Sequence, residues 1–357
     1  MATSAKKPRN LKLSLLISVS LSIAIIVILL WFTLTDETLD QLASASIRYE
    51  FFIAAILVNI VYWSMWGARL KVLSDAVDKT VHISWWEATK IVIANLFLAS
   101  ITPSMAGGEP VRIHLLTRDG LSTGSATASV LGERLLDVIF LLVAVPFAFY
   151  VFKDRIEMQL ISYGLTIGII VFAVAIILFA YAIRFPEKTK GFLVWLNIKI
   201  NRLLKRPKEK QATVVTRINT EVDNFHESMV FFLTKGRRSF LGAGLLTVVF
   251  WLTGFLIPSL ILLGLGLGPH FLESYAAQVL LIIIVMMPTT PGSAGVTEGG
   301  AAALYSVFIG TSFLGIFVLL FRFITYHMNL IGGAIFQYKI FRSLASLSLD
   351  NSESSEK

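Results

Sequence analysis

The sequence predicts an all-α polytopic membrane protein, with six full transmembrane helices, two re-entrant helical hairpins and an inverted-topology internal repeat. Three observations predict it. Of 357 residues, 55% are hydrophobic and only 15% charged, and the mean hydropathy is +0.75; a chain of this composition is solvated by lipid rather than water. Apolar runs of the roughly 20 residues that a helix needs to cross the hydrocarbon core recur along it. Two shorter apolar runs stop at closely similar Pro/Gly breaks, "TPSMAGGEP" at 102–110 and "TPGSAGVTE" at 290–298.

Residues 1–50 hold a basic tail (Lys6, Lys7, Arg9, Lys12), the apolar run Leu13–Phe32 and a short polar loop. Ala43-Ser44-Ala45 faintly resembles a signal cleavage site, but the apolar core exceeds the ~7–15 residues of a signal peptide, so an uncleaved first helix is expected. Residues 51–183 form the first repeat: Phe51–Arg69, the short run Trp85–Ile101, Ala126–Phe152 and Leu160–Ile183. Residues 184–238 are a basic loop. Residues 239–342 form the second repeat: Ser239–Leu267, the short run Ser274–Met287 and Phe313–Tyr338. The Ser-rich tail 343–357 is expected to be disordered.

Orientation follows from lysine and arginine counts. The 184–238 loop carries thirteen against five acids, while the 33–50 loop sets Asp36, Glu37 and Asp40 against Arg48. Both termini and the large loop are therefore placed in the cytoplasm of a multi-pass plasma-membrane protein. The net charge of +8 is read as attraction to the anionic inner leaflet and not to nucleic acid, since no compact basic soluble domain is present. In the loop, Phe192–Arg206 has the composition of a basic interfacial helix ended by Pro207. Val215, Ile218, Val222, Phe225, Met229 and Phe232 then recur at heptad spacing; a hairpin packing on the protein or membrane is favoured over a dimerising coiled coil, with a homodimer left open. Trp63, Trp66, Trp85 and Trp86 are read as an interfacial belt.

The breaks share one register. Thr102-Pro103 and Thr290-Pro291 are offset by 290 − 102 = 188, and the same offset relates Ala106-Gly107 to Ala294-Gly295, Trp63 to Trp251 and Arg134 to Arg322. Glu298 falls one residue out of register with Glu109. Counting crossings makes the two halves run oppositely, the arrangement in which broken helices meet near the midplane. The first hairpin is expected to enter from the cytoplasm, the second from outside.

Each break should start a half-helix whose N-terminus attracts anions, with Pro110 suited to its first turn. Thr102, Ser104, Gly107, Gly108, Thr289, Thr290, Gly292, Ser293 and Gly295 are the candidate turn and hydroxyl residues around a shared electropositive pocket. Ordinary surface loops are the plainer alternative. In "GERLLDV", Glu133, Arg134 and Asp137 share one side of a helix. Charges at this depth cost about 2.5–3.5 kcal/mol each and must pair or serve function. Arg134 and Arg322 are candidate phosphate clamps or structural partners of Asp137, Glu109 or Glu298; Arg322, with no acid close in sequence, is read as the better clamp. Carboxyls held at membrane depth favour their neutral form, so Glu109 and Glu298 suit proton or cation coupling, or else neutralise neighbours, as Arg112 would neutralise Glu109. With no cysteines, no HExxH, no metal-ligand spacing and no Walker A pattern, no cofactor, metal or P-loop ATPase chemistry is predicted.

"NLFLASITPSMAGGEPVRIHLL", "GERLLDV" and "PTTPGSAGVTEGG" together resemble the membrane-domain family named after lysylphosphatidylglycerol synthases, the flippase-like domain proteins. The resemblance implies a domain that moves an anionic or aminoacylated lipid between leaflets, with Gly107, Gly108, Glu109, Glu133, Arg134, Gly292, Gly295 and Glu298 at the matching positions. Full-length synthases add a soluble aminoacyl-transferase domain; a chain that ends after its last helix is expected not to make the lipid itself. The expectation is a translocase for a polar or phosphate-bearing lipid. The alternatives are a secondary transporter for a small soluble anion and an intramembrane lipid-modifying enzyme.

Overall fold

The computed structural model describes residues 46–100, 102, 108–153, 180–203, 211–285, 290 and 292–336, with isolated positions between 20 and 31 and between 170 and 178. Among them the protein is helical throughout, without strands. The helices are α1 (Tyr49–Val77), α2 (Trp85–Ser100), α3 (Gly108–Arg118), α4 (Thr123–Phe152), α5 (Pro186–Leu203), α6 (Gln211–Leu233), α7 (Arg237–Gly264), α8 (Phe271–Val285), α9 (Val296–Tyr305) and α10, which starts at Thr311 and runs through a π-helical turn at Phe323–His327 to Phe336. Four of these, α1, α4, α7 and α10, are long and apolar enough to cross a membrane. The expected crossings Leu13–Phe32 and Leu160–Ile183 lie largely outside the described residues, as does the tail 343–357.

Helix α1 continues eight residues past Arg69, where the apolar run suggested an end. Arg69 does not face water; it is fully buried. Lys71 and Asp75 then pair at i,i+4, which supports the extra turns. The helix stops at Asp78, whose carboxylate accepts from the Thr80 hydroxyl at 2.6 Å and the Thr80 N–H at 2.9 Å. Those bonds, led by the hydroxyl, hold Asp78 below the usual carboxylate range.

The centre of the molecule is the pairing of α1 with α7, the two helices that carry Trp63 and Trp251. They lie antiparallel. Arg48 N–H, just before α1, donates to Gly264 C=O at the end of α7 at 2.9 Å. Farther along, Tyr62 stacks on Phe250 with centroids 4.4 Å apart, and Arg69 reaches Thr247. Two apolar clusters flank this pair. One is built by α1, α2, α3 and the start of α4 around Leu70, Val92 and Leu116; the other by α4, α7, α8, α9 and α10 around Ile261, Leu280 and Phe317.

A third cluster joins the loop helices to the bundle. Val222, Met229 and Phe232 of α6 are buried, with Met229 and Phe232 packed among Leu73, Ala76, Ala128 and Leu136. Gly132 leaves just enough room: a Cβ there would sit 3.0 Å from the Phe232 ring. The heptad-spaced seam thus packs on its own protein. Helix α5 keeps Phe192 and Trp195 exposed, lays Lys199 over the Trp195 ring at 4.8 Å, and ties to α6 through Lys190 and Asp223 at 2.6 Å.

The tryptophan belt needs correction. Trp85 and Trp86 are about half exposed at the start of α2, as interfacial residues should be, but Trp63 and Trp66 are buried. Trp63 donates to Asn329 at 2.8 Å and Trp66 to Glu133 at 3.4 Å. Buried indoles require such acceptors.

Candidate functional site

Helices α2 and α8 both stop short. A new helix starts after each interruption, α3 at Gly108 and α9 at Val296. The interruptions touch: Gly292 N–H donates to Thr102 C=O at 3.1 Å. The Tyr326 hydroxyl of α10 donates to Ser100 C=O at the end of α2 at 3.2 Å. Carbonyls freed at a helix end must be met by something, and here the other half of the chain meets them.

Local chemistry builds each turn. Gly295 has φ +89° and ψ −48°, a conformation open to glycine alone at little cost. Its N–H donates to Glu298 at 2.7 Å, so this carboxylate caps the N-terminus of α9. Thr290 donates its hydroxyl to Ala294 C=O, and Thr102 donates to Leu98 C=O at 2.8 Å. Both hydroxyls expected to reach a ligand therefore donate within their own turns. Ser293 is fully buried in the left-handed region, with φ +51°. Gly108 is required by proximity, because a Cβ there would meet Asn95 Oδ1 at 2.1 Å. Ser104, Gly107 and Thr289 lie outside the described residues.

The charged residues fall into two matching arrangements. Glu109 stands in the first turn of α3 and pairs with Arg134 of α4. Glu298 stands in the first turn of α9 and pairs with Arg322 of α10, Nε to Oε1, at 2.9 Å. Arg134 and Arg322 are each the twelfth residue of their helix, about 16 Å from its start. The register that relates the two arginines in sequence thus relates two ion pairs in space.

Two sequence expectations change here. Arg322 has no acid close in the chain, yet Glu298 neutralises it across the turn. Arg112 does not serve Glu109; it pairs with Glu133. Glu133 also accepts from Arg69 Nε at 3.1 Å, and Arg69 bonds Asp137 at 2.6 Å. Asp137 takes a further bond from Trp251 at 3.0 Å and lies 3.3 Å from Arg134. Arg69, Arg112 and Arg134 thus face Glu109, Glu133 and Asp137, three cations against three anions, a charge-balanced network of which Glu109 and Arg134 reach the cavity. Arg69 and Arg112 are fully buried, a burial that pairing alone makes tolerable. Trp66 lies near both guanidiniums, 5.3 Å from that of Arg112.

Between the halves lies a cavity of about 520 Å³, within the range of ligand pockets. Of the expected site residues, Glu109, Arg134 and Arg322 line it. Asp137 and Glu298 hold the two arginines from behind, and Glu133 holds the lining Trp66. Thr102, Gly108, Thr290, Gly292, Ser293 and Gly295 build the turns. The remaining wall joins aliphatic side chains to the aromatics Tyr62, Trp66, Trp251 and Tyr326 and the amides Asn59, Asn95 and Gln278. Sequence reading missed these amides and Arg69. The available signal was a polar residue within an otherwise apolar helix, as at Asn59 and Gln278, which marks an interior face. Asn59 also has a structural task, donating at 3.0 Å to Ile324 C=O inside the π-helical turn that follows Arg322; such turns free backbone groups and cluster at functional sites.

The comparisons with known proteins agree with this architecture. The family model for the lysylphosphatidylglycerol synthase TM region matches residues 17–333. A UPF0104 membrane protein of Archaeoglobus fulgidus is 36% identical over 287 residues, 79% of this chain and 84% of that protein. UPF0104 membrane proteins of Pyrococcus horikoshii and Methanocaldococcus jannaschii are 25% and 26% identical, over 78% and 80% of this chain and 82% of each of those proteins. The chain is a membrane protein and belongs to the lysylphosphatidylglycerol synthase transmembrane-region family, the family its sequence motifs suggested.

Proposed function

We propose that this protein is a lipid translocase of the cell membrane, which moves a polar, phosphate-bearing headgroup between leaflets while the hydrocarbon chains stay in lipid. In this reading the chain crosses the membrane six times. The α2–α3 and α8–α9 units are re-entrant hairpins from opposite faces, and the halves are inverted repeats that rock about the α1–α7 pair. One observation carries the proposal: two register-matched arginines, each paired with a glutamate from the first turn of a short helix, border one cavity at the meeting point of two interrupted helices. The cavity wall supports a lipid over a free ion. Beside its polar groups stand Leu96, Ile257, Leu281, Ile282 and Val285, apolar surface for which a small anion has no use.

Each half-helix N-terminus already holds a carboxylate. Glu109 is the resident anion on Arg134, and a substrate phosphate enters by taking its place, since a guanidinium fork suits either group. Protonation of the displaced Glu109 would couple the exchange to a proton gradient. The test is leaflet exchange of a fluorescent phospholipid in proteoliposomes. The protein should accelerate exchange, and Arg134→Met should remove the acceleration while leaving insertion and folding intact. If exchange stays at the protein-free rate under every ion and proton gradient, the translocase reading falls.

A further inference from the structure

The polar groups that the cavity leaves unused specify what kind of headgroup it takes. Asn59 gives its Nδ2 to Ile324 C=O, and Gln278 gives its Nε2 to the Tyr305 hydroxyl at 3.0 Å. Each keeps its amide oxygen, an acceptor, among the residues that line the cavity. Glu109 bonds Arg134 through one oxygen, leaving the other for the cavity. Asn95 is only 2% exposed, lines the cavity, and has no side-chain partner among the described residues. Opposite these acceptors, Arg322 is equally buried and its Nη2 has no partner, while Arg134 is half-exposed.

A bare phosphate satisfies the arginines but would face the amide oxygens and Glu109 with more acceptors. A quaternary ammonium has no N–H or O–H to donate, so the buried acceptors would stay unmet, and unmet buried polar groups are costly. A group bearing several hydroxyls beside its phosphate satisfies both sets. Hydroxyls, which both donate and accept, donate to the oxygens of Asn59 and Gln278 and bond the amide of Asn95, the phosphate takes the guanidiniums, and the C–H face of a ring packs on the flat faces of Tyr62, Trp66 or Trp251. The volume of about 520 Å³ holds a ring-sized group.

We propose that the cavity selects a polyhydroxylated phosphate headgroup, a sugar or cyclic polyol joined to lipid through phosphate. This rests on the translocase reading and narrows it. The experiment is a binding titration of the purified full-length protein in detergent, followed by tryptophan fluorescence and microscale thermophoresis. The probes are short-chain phosphatidylinositol, phosphatidic acid, phosphatidylethanolamine and phosphatidylcholine, with inositol 1-phosphate and inorganic phosphate as lipid-free arms. Phosphatidylinositol should bind at least tenfold tighter than the other three lipids. Asn95→Ala, and independently Gln278→Met, should shrink that preference about tenfold, with melting temperatures confirming that each variant folds. Equal binding of phosphatidic acid or phosphatidylethanolamine, or an unchanged preference in both variants, overturns the headgroup assignment and leaves the translocase reading standing. Tighter binding of inositol 1-phosphate than of its lipid moves the site to a soluble substrate and sinks both. Absence of binding by every probe sinks both as well.

Discussion

The two glutamate–arginine pairs share a chemistry, a glutamate in the first turn of a short helix and an arginine at the twelfth position of the next, but not a setting. The side chains of Glu109 and Arg134 are 30% and 41% exposed; those of Glu298 and Arg322 are 0% and 3% exposed. Glu298 is held a second time, by the N–H of Gly295, and Arg322 lies against the Tyr326 ring at 4.1 Å. One pair is open to exchange and the other is closed. A sequence repeat can thus carry one interaction in two states. On the proposed translocase reading, Glu109 is the acid placed to give way and Glu298 the one held in its place.

The comparison breaks most severely where charge is most buried. Behind the open pair stands Glu133, fully buried and shared by Arg69 and Arg112. Glu133→Leu takes the carboxylate from buried Arg112 and leaves buried Arg69 with Asp137. Removing one partner of a buried pair costs about 3–5 kcal/mol, and here a single carboxylate serves two cations. The expected result is loss of cooperative thermal unfolding in detergent, or of folded protein altogether. Glu133→Gln keeps an acceptor and should be milder. A Glu133→Leu protein that melts at the wild-type temperature would show that the open pair needs no buried support.

Arg322→Met removes the ion-pair partner of the buried Glu298 and should destabilise by about 3–5 kcal/mol. The double variant Arg322→Met/Glu298→Met should recover part of that loss, because apolar replacement of a whole buried pair is often neutral. Melting curves of the three proteins test it. A double variant less stable than either single variant would mean that the capping of Gly295 outweighs the ion pair.

Gly295→Ala comes next. At φ +89° a Cβ is strained whatever space surrounds it, and the cost should be about 1–3 kcal/mol. Because the same residue positions Glu298, its effect should fall on the closed pair and leave Glu109–Arg134 untouched. Equal losses in lipid exchange for Gly295→Ala and Arg134→Met would blur the distinction between the halves.

Much of this was legible in the sequence for physical reasons. Apolar length announced α1, α4, α7 and α10, and proline with glycine announced the interruptions, since both signals are local. Register announced that Arg134 and Arg322 correspond. Pairing was another matter. Arg322 meets an acid 24 residues away and Arg112 one 21 residues away, each across a turn whose path the sequence does not give. Adjacency in the chain suggested Arg112 for Glu109 and ranked a clamp role for Arg322 above its pairing with Glu298, both for that one reason. Arg69 was overlooked because a cation closing an apolar run reads as a helix end at the membrane surface, where arginine commonly sits.

The finest test measures the pairs directly. A double-mutant cycle on Glu109→Gln and Arg134→Met removes a pair that solvent reaches, and half-exposed pairs couple weakly; the interaction should be about 1 kcal/mol or less. The matching cycle on Glu298→Gln and Arg322→Met should return a larger coupling, because little water screens that pair. Both cycles are read by thermal unfolding of the same detergent-solubilised protein, so micelle effects cancel. The decisive version repeats them with a phosphate-bearing lipid present. If phosphate takes the place of Glu109 on Arg134, the first coupling should fall toward zero while the second keeps its value. A first coupling that rises with lipid would mean that the ligand tightens the open pair, and Glu109 would then be part of the binding surface instead of the anion that makes way.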